Sequence, residues 1–405
     1  MATLKLTKRH IKQDPKDPAF VQNPYAVYDR MHAIEGAVFW ENYNMWCLTG
    51  FAAVDSALKD KRFARLPPSG HENPSMAEHL SDFAQSEAYS LLSLEPPEHT
   101  RLRKLVNRAF ISRQVTKMEE GIRVLAHECI DSFIDDRSVE LLAAYGATIP
   151  ITVIARLLGV PESDKDLLLS WSHDMVRVYT LTQTYEEELQ ANLAAREFQD
   201  YLGKLVIEKR HQPGNDLISH MVTRSDDHNH LRDDEIISIS ILLLNAGHEA
   251  TVHQFGNSVK TLLELRCDTD ALLGSQQAAD ATVAEALRYD APLHLFTRYA
   301  QEDVSLGHDV QLRRGDEIGL LLGAANRDPR QFVDAGSFVP GRADGNHVSF
   351  GAGLHFCIGA ALANLELRVA LQTLFERIPE LKLSGNPVYQ DKYHFHGLEA
   401  LYVEW

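Results

Sequence analysis

His347-Val348-Ser349-Phe350-Gly351-Ala352-Gly353-Leu354-His355-Phe356-Cys357-Ile358-Gly359-Ala360-Ala361-Leu362-Ala363 is the stretch that decides the fold. A glycine-rich segment carries one cysteine into a helix that reads from Cys357 to Glu376. Ile358, Leu362, Leu365 and Val369 fall at helical spacing along it. A cysteine at a helix start meets unpaired N–H groups and the positive end of the helix dipole, which favours the thiolate over the thiol. Gly351, Gly353 and Gly359 let the backbone turn tightly and bring those N–H groups near the sulfur. The plainer alternative is a buried cysteine at a loop–helix junction, the common fate of a lone cysteine.

A thiolate held in this way suits a soft metal, above all the iron of a haem. Phe350, Gly353, Cys357 and Gly359 form the pattern Phe-x-x-Gly-x-x-x-Cys-x-Gly. Glycine is near 7% of ordinary usage and cysteine is rare, so a chance match in a chain this long is on the order of one in a thousand. On these residues the stretch resembles the haem-binding loop of the cytochrome P450 family. The resemblance implies haem b (iron protoporphyrin IX) with Cys357 as its thiolate axial ligand. It places Phe350 and Gly359 against the cofactor. It also implies a mainly α fold with small β-sheets, in which a long central helix and the cysteine-loop helix sandwich the haem.

The chain has 405 residues, enough for two or three domains by length alone, yet one-domain size for this family. The expectation is a single haem domain over 1–405. It would have a β-richer part over about 1–60, a helical core over about 95–290 and the cysteine-loop region over about 340–376. A hydrophobic content of 44% supports a large core. The net charge of −17 disfavours nucleic acid and anionic membrane as partners. Cys47, Cys129, Cys267 and Cys357 lie far apart with no Cys-x-x-Cys, which argues against zinc and disulfides and fits a reducing compartment. Met1 to His10 has no apolar core, and no run approaches a membrane span. A soluble cytoplasmic monomer is expected, resembling bacterial members of the family, with no room for a fused reductase.

Residues 1–23 read as irregular. Asn23-Pro24 opens a helix to about Ile34. Ala37–Glu41 and Met45–Thr49 read as strands and Phe51–Lys59 as a short helix. Arg62 to Leu92, rich in Pro, Ser, Gly and Asn, reads as a long loop of the functional or mobile kind. Glu95-Pro96-Pro97-Glu98 then starts a helix with His99 and Arg103 on one face. By itself that is a solvated helix face. The resemblance assigns His99 and Arg103 to a haem propionate, and Arg298 and His355 match further propionate positions. Such donors are what a carboxylate needs. Lys117 to His211 reads as mainly helical, with Gly159 and Pro161 separating two helices. Tyr179 to Glu187 is a polar connection. By the resemblance it joins the 62–92 loop as a lid over the substrate pocket.

Leu231 to Glu235 begins the longest helix, to about Leu265, and Ile236 to Leu244 is apolar nearly all round. In its middle stands Asn245-Ala246-Gly247-His248-Glu249-Ala250-Thr251, a glycine among polar residues where local rules break. The resemblance sets Ala246 and Gly247 over the haem face opposite the cysteine, where they allow a local bulge. It makes Gly247, Glu249, Ala250 and Thr251 the catalytic stretch. The family usually has threonine directly after the acid. Here Ala250 follows, and Thr251 comes one position later, a turn of about 100° around the helix. The alternative for Glu249 is a buried acid paired with a neighbouring base.

Glu285-x-x-Arg288 follows on another helix, and the same spacing at Glu120–Arg123 reads as a surface pair. The resemblance implies that Glu285 and Arg288 form an ion-pair triad with Arg342. Val339 stands where the family more often has Asp. Leu293 to Phe296 reads as a strand along the pocket, whose apolar wall would be Leu243, Ala246, Leu295 and Phe296. Ile318 to Leu322 reads as a further strand.

A thiolate ligand pushes electron density into iron and favours O–O cleavage. The resemblance therefore implies a monooxygenase that inserts one atom of O2 into a small apolar organic substrate. No flavin or nicotinamide domain is seen, so the electrons would come from a ferredoxin with a separate reductase. Arg101, Lys104, Arg108 and Arg113 are the candidates to meet it. Two alternatives remain open at this point. One is a haem-thiolate enzyme that uses peroxide or rearranges its substrate, which Ala250 favours. The other is a non-enzymatic haem-thiolate sensor.

Overall fold

The computed structural model describes residues 8–71, 76–179, 183–223 and 231–405. It is mainly helical with three small sheets, the fold class expected. The strands of the largest sheet are β1 (His10–Ile11), β2 (Val38–Trp40), β3 (Met45–Leu48), β4 (Phe63–Ala64), β5 (Leu295–Ala300) and β6 (Glu317–Leu321). They lie in the order β1-β2-β3-β6-β5-β4, so the N-terminal strands pair with strands from far down the chain. One face packs on an aromatic cluster of Phe20, Tyr28, Trp40 and Tyr393.

The principal helices are α1 (Glu98–Val106), α2 (Glu119–Asp131), α3 (Thr148–Leu158), α4 (Lys165–Val176), α5 (Tyr185–His211), α6 (Asp233–Glu264), α7 (Gln276–Tyr289) and α8 (Ala360–Arg377). The central helix α6 touches α3, α4, α5, α7 and α8. Ile236, Ile239, Ile241, Leu242, Leu243 and Leu244 are all buried, as a stretch apolar nearly all round requires. Each such side chain stabilises by roughly 1.5–3 kcal/mol. At the start of α6, buried Glu235 accepts from the Arg232 N–H at 2.9 Å, a carboxylate at the positive end of the helix dipole. Gly159 ends α3 in the left-handed conformation (φ +81°).

Three local expectations are corrected. Residues 1–23 are not wholly irregular: Pro18–Gln22 is a short helix capped by Asp17, which buries Phe20 and Val21. The 62–92 segment contains the helix Ser81–Glu87, because Leu80 and Phe83 three apart find a buried apolar surface. Its residues 72–75 lie outside the described residues. In the polar connection, Tyr185 already begins α5, with Thr184 and Glu187 forming a reciprocal cap. Residues 180–182 of that connection also lie outside the description.

Candidate active site

The cysteine loop is pinned before its helix begins. Cys357 N–H donates to the Phe350 carbonyl at 2.9 Å, and Gly351 N–H donates to Val348 at 2.8 Å. Gly353 has φ +68°, and a Cβ there would stand 2.4 Å from the Leu58 carbonyl oxygen, so only glycine fits. The helix starts at Ala360 with Gly359 as its cap, three residues later than the sequence suggests. Burial pushes the Cys357 thiol up, and the N–H groups of Gly359 and Ala360 and the Arg103 guanidinium only partly offset this. The protein alone favours the thiol; a bound metal is what would deprotonate it.

Between α6 and α8 lies a cavity of about 110 Å³. Leu243, Ala246, Gly247, Ala250 and Thr251 form one wall, and Cys357, Ile358 and Gly359 stand opposite. A Cβ on Gly359 would come 4.0 Å from Sγ, so its absence leaves the sulfur open to the cavity. Neither Leu295 nor Phe296 lines the cavity. They are neighbours on β5 and face opposite sides of the sheet. Leu295 packs into the aromatic cluster, and Phe296 lies near Gly351 of the cysteine loop.

Around one edge of this region the buried polar groups lack partners. His99 is fully buried, and neither ring nitrogen has a hydrogen bond. Its ring lies 4.5 Å from that of His355. Arg298 is 4% exposed and, among the described residues, donates only to the carbonyl of Thr297. Burial, and then the nearby Arg65, push its guanidinium down to about 9, against a pull from Glu95. Arg65 escaped the sequence reading, since a lone arginine in a polar loop carries no signal. Buried Arg298, half-buried Arg65 and the orphaned imidazole of His99, beside half-buried His355 and its partner Glu95, fit an anionic group, as two haem propionates would be. Arg103 reaches the Phe356 carbonyl at 2.5 Å, beside the cysteine.

The central helix stays α-helical through Ala246 and Gly247, so the expected bulge is absent and the small side chains alone make the recess. Thr251 Oγ donates to the Gly247 carbonyl at 3.2 Å while lining the cavity. Glu249 turns away from the cavity. Its carboxylate lies 3.4 Å from His253, 3.5 Å from His248 and 3.8 Å from His173. Burial raises its carboxyl, but the three imidazoles prevail and hold it down at about 2. Burial holds His248 down to about 4. A second acid was missed: Glu366, 3% exposed, lines the cavity and has no ion-pair partner among the described residues. Burial pushes its carboxyl up to about 8. The signal was present, for Glu366 and Arg368 are the two charges set among Leu362, Leu365 and Val369 on a buried helix, and of the two only Arg368 finds an ion-pair partner among the described residues.

Glu285 and Arg288 are joined by two hydrogen bonds of 2.8 Å, and Arg342 Nε donates to Glu285 at 3.0 Å. The Val339 N–H, not its side chain, completes Glu285 at 2.7 Å, which is why valine serves there. The Glu120–Arg123 pair does not form. Arg123 turns one residue further back to Glu119, which also binds Arg368. Of the basic cluster, Arg101 is taken up by Glu98 and buried Glu235. Lys104 and Arg113 are exposed, and the Arg108 side chain lies outside the described residues.

The profile described as Cytochrome P450 matches residues 257–383. Cytochrome P450 107B1 of Saccharopolyspora erythraea is 34% identical over 380 residues, 92% of this chain and 91% of its own. Cytochrome P450 monooxygenase PikC of Streptomyces venezuelae is 34% identical over 401 residues, 95% of this chain and 92% of its own. The crystal structure of P450BioI in complex with a hexadec-9Z-enoic acid ligated acyl carrier protein superposes with a TM-score of 0.89 at 31% identity. It covers 96% of this chain and 100% of that one.

Proposed function

Because the chain belongs to the cytochrome P450 family, and so is a haem monooxygenase with a cysteine thiolate on iron, we propose that Cys357 supplies the thiolate and that a small, mainly apolar substrate is oxygenated opposite it. The carrying observation is the cavity that sets Cys357 against Ala246 and Gly247. The haem supplies O2 activation, placing one oxygen atom in the substrate. Residues 1–405 act as one haem domain in this reading.

His99, His355, Arg298 and Arg65 would hold the propionates: His99 is buried with both ring nitrogens free of hydrogen bonds, Arg298 is buried with its charge disfavoured, and half-buried His355 and Arg65 stand beside them. Arg103 braces the loop through Phe356. Phe350 anchors Cys357 through its carbonyl, and Gly359 keeps the sulfur bare. The triad of Glu285, Arg288 and Arg342 fixes the loop from behind. Leu243 and Ala246 provide the apolar wall. Protons enter through Thr251 and the neutral carboxyl of Glu366 inside the cavity, with Glu249 as the outer station toward half-exposed His173. Ala250 removes the hydroxyl the family usually places there, which leaves Thr251 to serve from the next position.

Electrons come from a ferredoxin with a separate reductase, docking at the exposed Lys104 and Arg113 beside α1. No helix among the described residues is long and apolar enough to cross a membrane, which supports work in the cytoplasm. Reconstitution with ferredoxin, reductase, NAD(P)H and O2 tests this reading, using substrates chosen by shifts of the haem absorption band. Product under these conditions supports it. Product only with added peroxide, or a ligand-induced shift with no product under either condition, overturns it.

A further inference from the structure

Two imidazoles and a carboxylate converge where α4 meets α6, outside the cavity. His173 Nε2 lies 3.8 Å from Glu249 Oε2, and His248 Nε2 lies 3.5 Å from the same oxygen. One ligand atom from each residue lies within 4.8 Å of the other two. The two rings are 5.6 Å apart between centroids.

Hydrogen bonding does not account for this arrangement. His248 is fully buried, and its Nδ1 lies 3.4 Å from the Leu244 carbonyl oxygen one turn back. A carbonyl only accepts, so Nδ1 carries the proton and Nε2 keeps a lone pair. Nε2 makes no hydrogen bond of its own and looks onto the Glu249 carboxylate. Two acceptors facing each other in a buried place are costly unless something positive stands between them.

The surroundings are built for an ion. His253 Nε2 lies 3.4 Å from Glu249 Oε1, leaving Oε2 to the other two residues. His253 is itself fixed under Gly397, where a Cβ would fall 1.9 Å from its Nδ1. The Leu244 carbonyl behind His248 and the His253 ring behind Glu249 are the outer partners that orient metal ligands. His173 is half-exposed, which gives an ion its way in and the ligand its freedom to move. An ion at the centre of atoms so spaced lies within about 2.8 Å of each, so reaching bonds of roughly 2.0–2.2 Å takes less than about 1 Å of movement per ligand.

We propose that His173, His248 and Glu249 form a site for a divalent cation of the zinc class, bridging α4 and α6, with water in the fourth position. Two imidazoles, one carboxylate and an open position suit zinc, whereas magnesium and calcium want oxygen alone. Occupancy ties α4 to the central helix and holds Glu249 away from the cavity. The binding stands on the geometry; its effect on turnover rests on the reading of Glu249 as a proton station.

The test is equilibrium dialysis of the holoenzyme against buffered zinc chloride, with zinc X-ray absorption on the product. One zinc per chain is expected, with nitrogen and oxygen ligands at about 2.0–2.2 Å, two of the nitrogens from imidazole. His173→Ala and His248→Gln should each weaken binding roughly tenfold or more. His308→Ala, at the turn against Gly36, should not. His173 is half-exposed, so its variant remains informative if the buried one fails to fold. No stoichiometric zinc, or unchanged affinity in His173→Ala, overturns the site. Zinc bound by these ligands that leaves product per NAD(P)H untouched upholds the site and overturns the role of Glu249.

Discussion

Arg288 donates to the carbonyl oxygen of Asn326 at 2.8 Å, and through that residue the ion-pair triad reaches the cysteine loop. The Asn326 side chain accepts from the Val348 N–H at 2.9 Å and donates to Ser349 Oγ at 2.8 Å. Ser349 in turn donates to the Leu287 carbonyl at 2.6 Å, beside Arg288. The loop is thus fastened, just before Phe350, to the helix that carries the triad. A buried network with its members satisfied favours one geometry over its neighbours.

Removing Glu285 as alanine leaves Arg288 a buried charge without its carboxylate, and removing Arg288 leaves buried Glu285 with Arg342 alone, at a cost of up to roughly 3–5 kcal/mol. The expected outcome is a lower Tm and poor haem content, read as haem per protein after purification. Native melting with full haem in both variants would contradict the network. Glu120→Ala should change neither quantity, since Arg123 pairs with Glu119.

Arg298→Gln should leave the chain folded but loosen the haem. The residue has one described hydrogen bond, to Thr297, and a burial that disfavours its charge unless an anion is near. Haem transfer to an acceptor protein should therefore quicken, by about tenfold for each 1.4 kcal/mol of lost interaction. An unchanged transfer rate would remove Arg298 from the propionate set.

Glu366 gives a pH dependence of definite sign. Its folded carboxyl titrates at about 8, whereas an unfolded glutamate titrates near 4.3. Between those values the folded state holds the extra proton, so its contribution to stability falls as pH rises. The slope is at most about 1.4 kcal/mol per pH unit. Glu366→Gln should flatten it. Melting curves from about pH 5 to pH 8 should diverge, with the variant gaining on wild type toward the alkaline end. Parallel curves would mean that Glu366 is ionised in the folded protein.

Proton delivery can be read as coupling, the product formed per NAD(P)H consumed. A general acid–base group is worth roughly 10²–10⁴-fold. Thr251→Ala should shift electron flow toward released hydrogen peroxide. Ala250→Thr should raise coupling for substrates that lack polar groups. Glu249→Gln should slow turnover with substrate affinity nearly unchanged. Wild-type coupling in Thr251→Ala would show that its hydroxyl serves only its bond to Gly247.

Local signals made much of this legible. The stretch from Ile236 to Leu244, apolar nearly all round, announces a buried helix, and the glycine-spaced cysteine announces its loop. The helix start at Ala360 was missed because a capping glycine and the cysteine look alike as boundary marks. Leu295 was misplaced although strand alternation forbids it and Phe296 the same wall. Of the histidines around Glu249, His248 and His253 fit the paired-acid alternative read from the sequence, whereas His173 was out of reach: it arrives from α4, and nothing in either segment announces the meeting. At Cys357 the helix-end N–H groups are visible in sequence, while the desolvation that opposes them without a metal is not.

The most direct measurement is the absorption spectrum of the reduced carbon monoxide complex, taken for wild type and for Cys357→Ser. Wild type should show the thiolate-specific band near the violet edge of the visible, and the variant should lose both that band and its monooxygenase activity. A Cys357→Ser protein whose reduced carbonyl spectrum matches wild type would show that the thiolate comes from elsewhere.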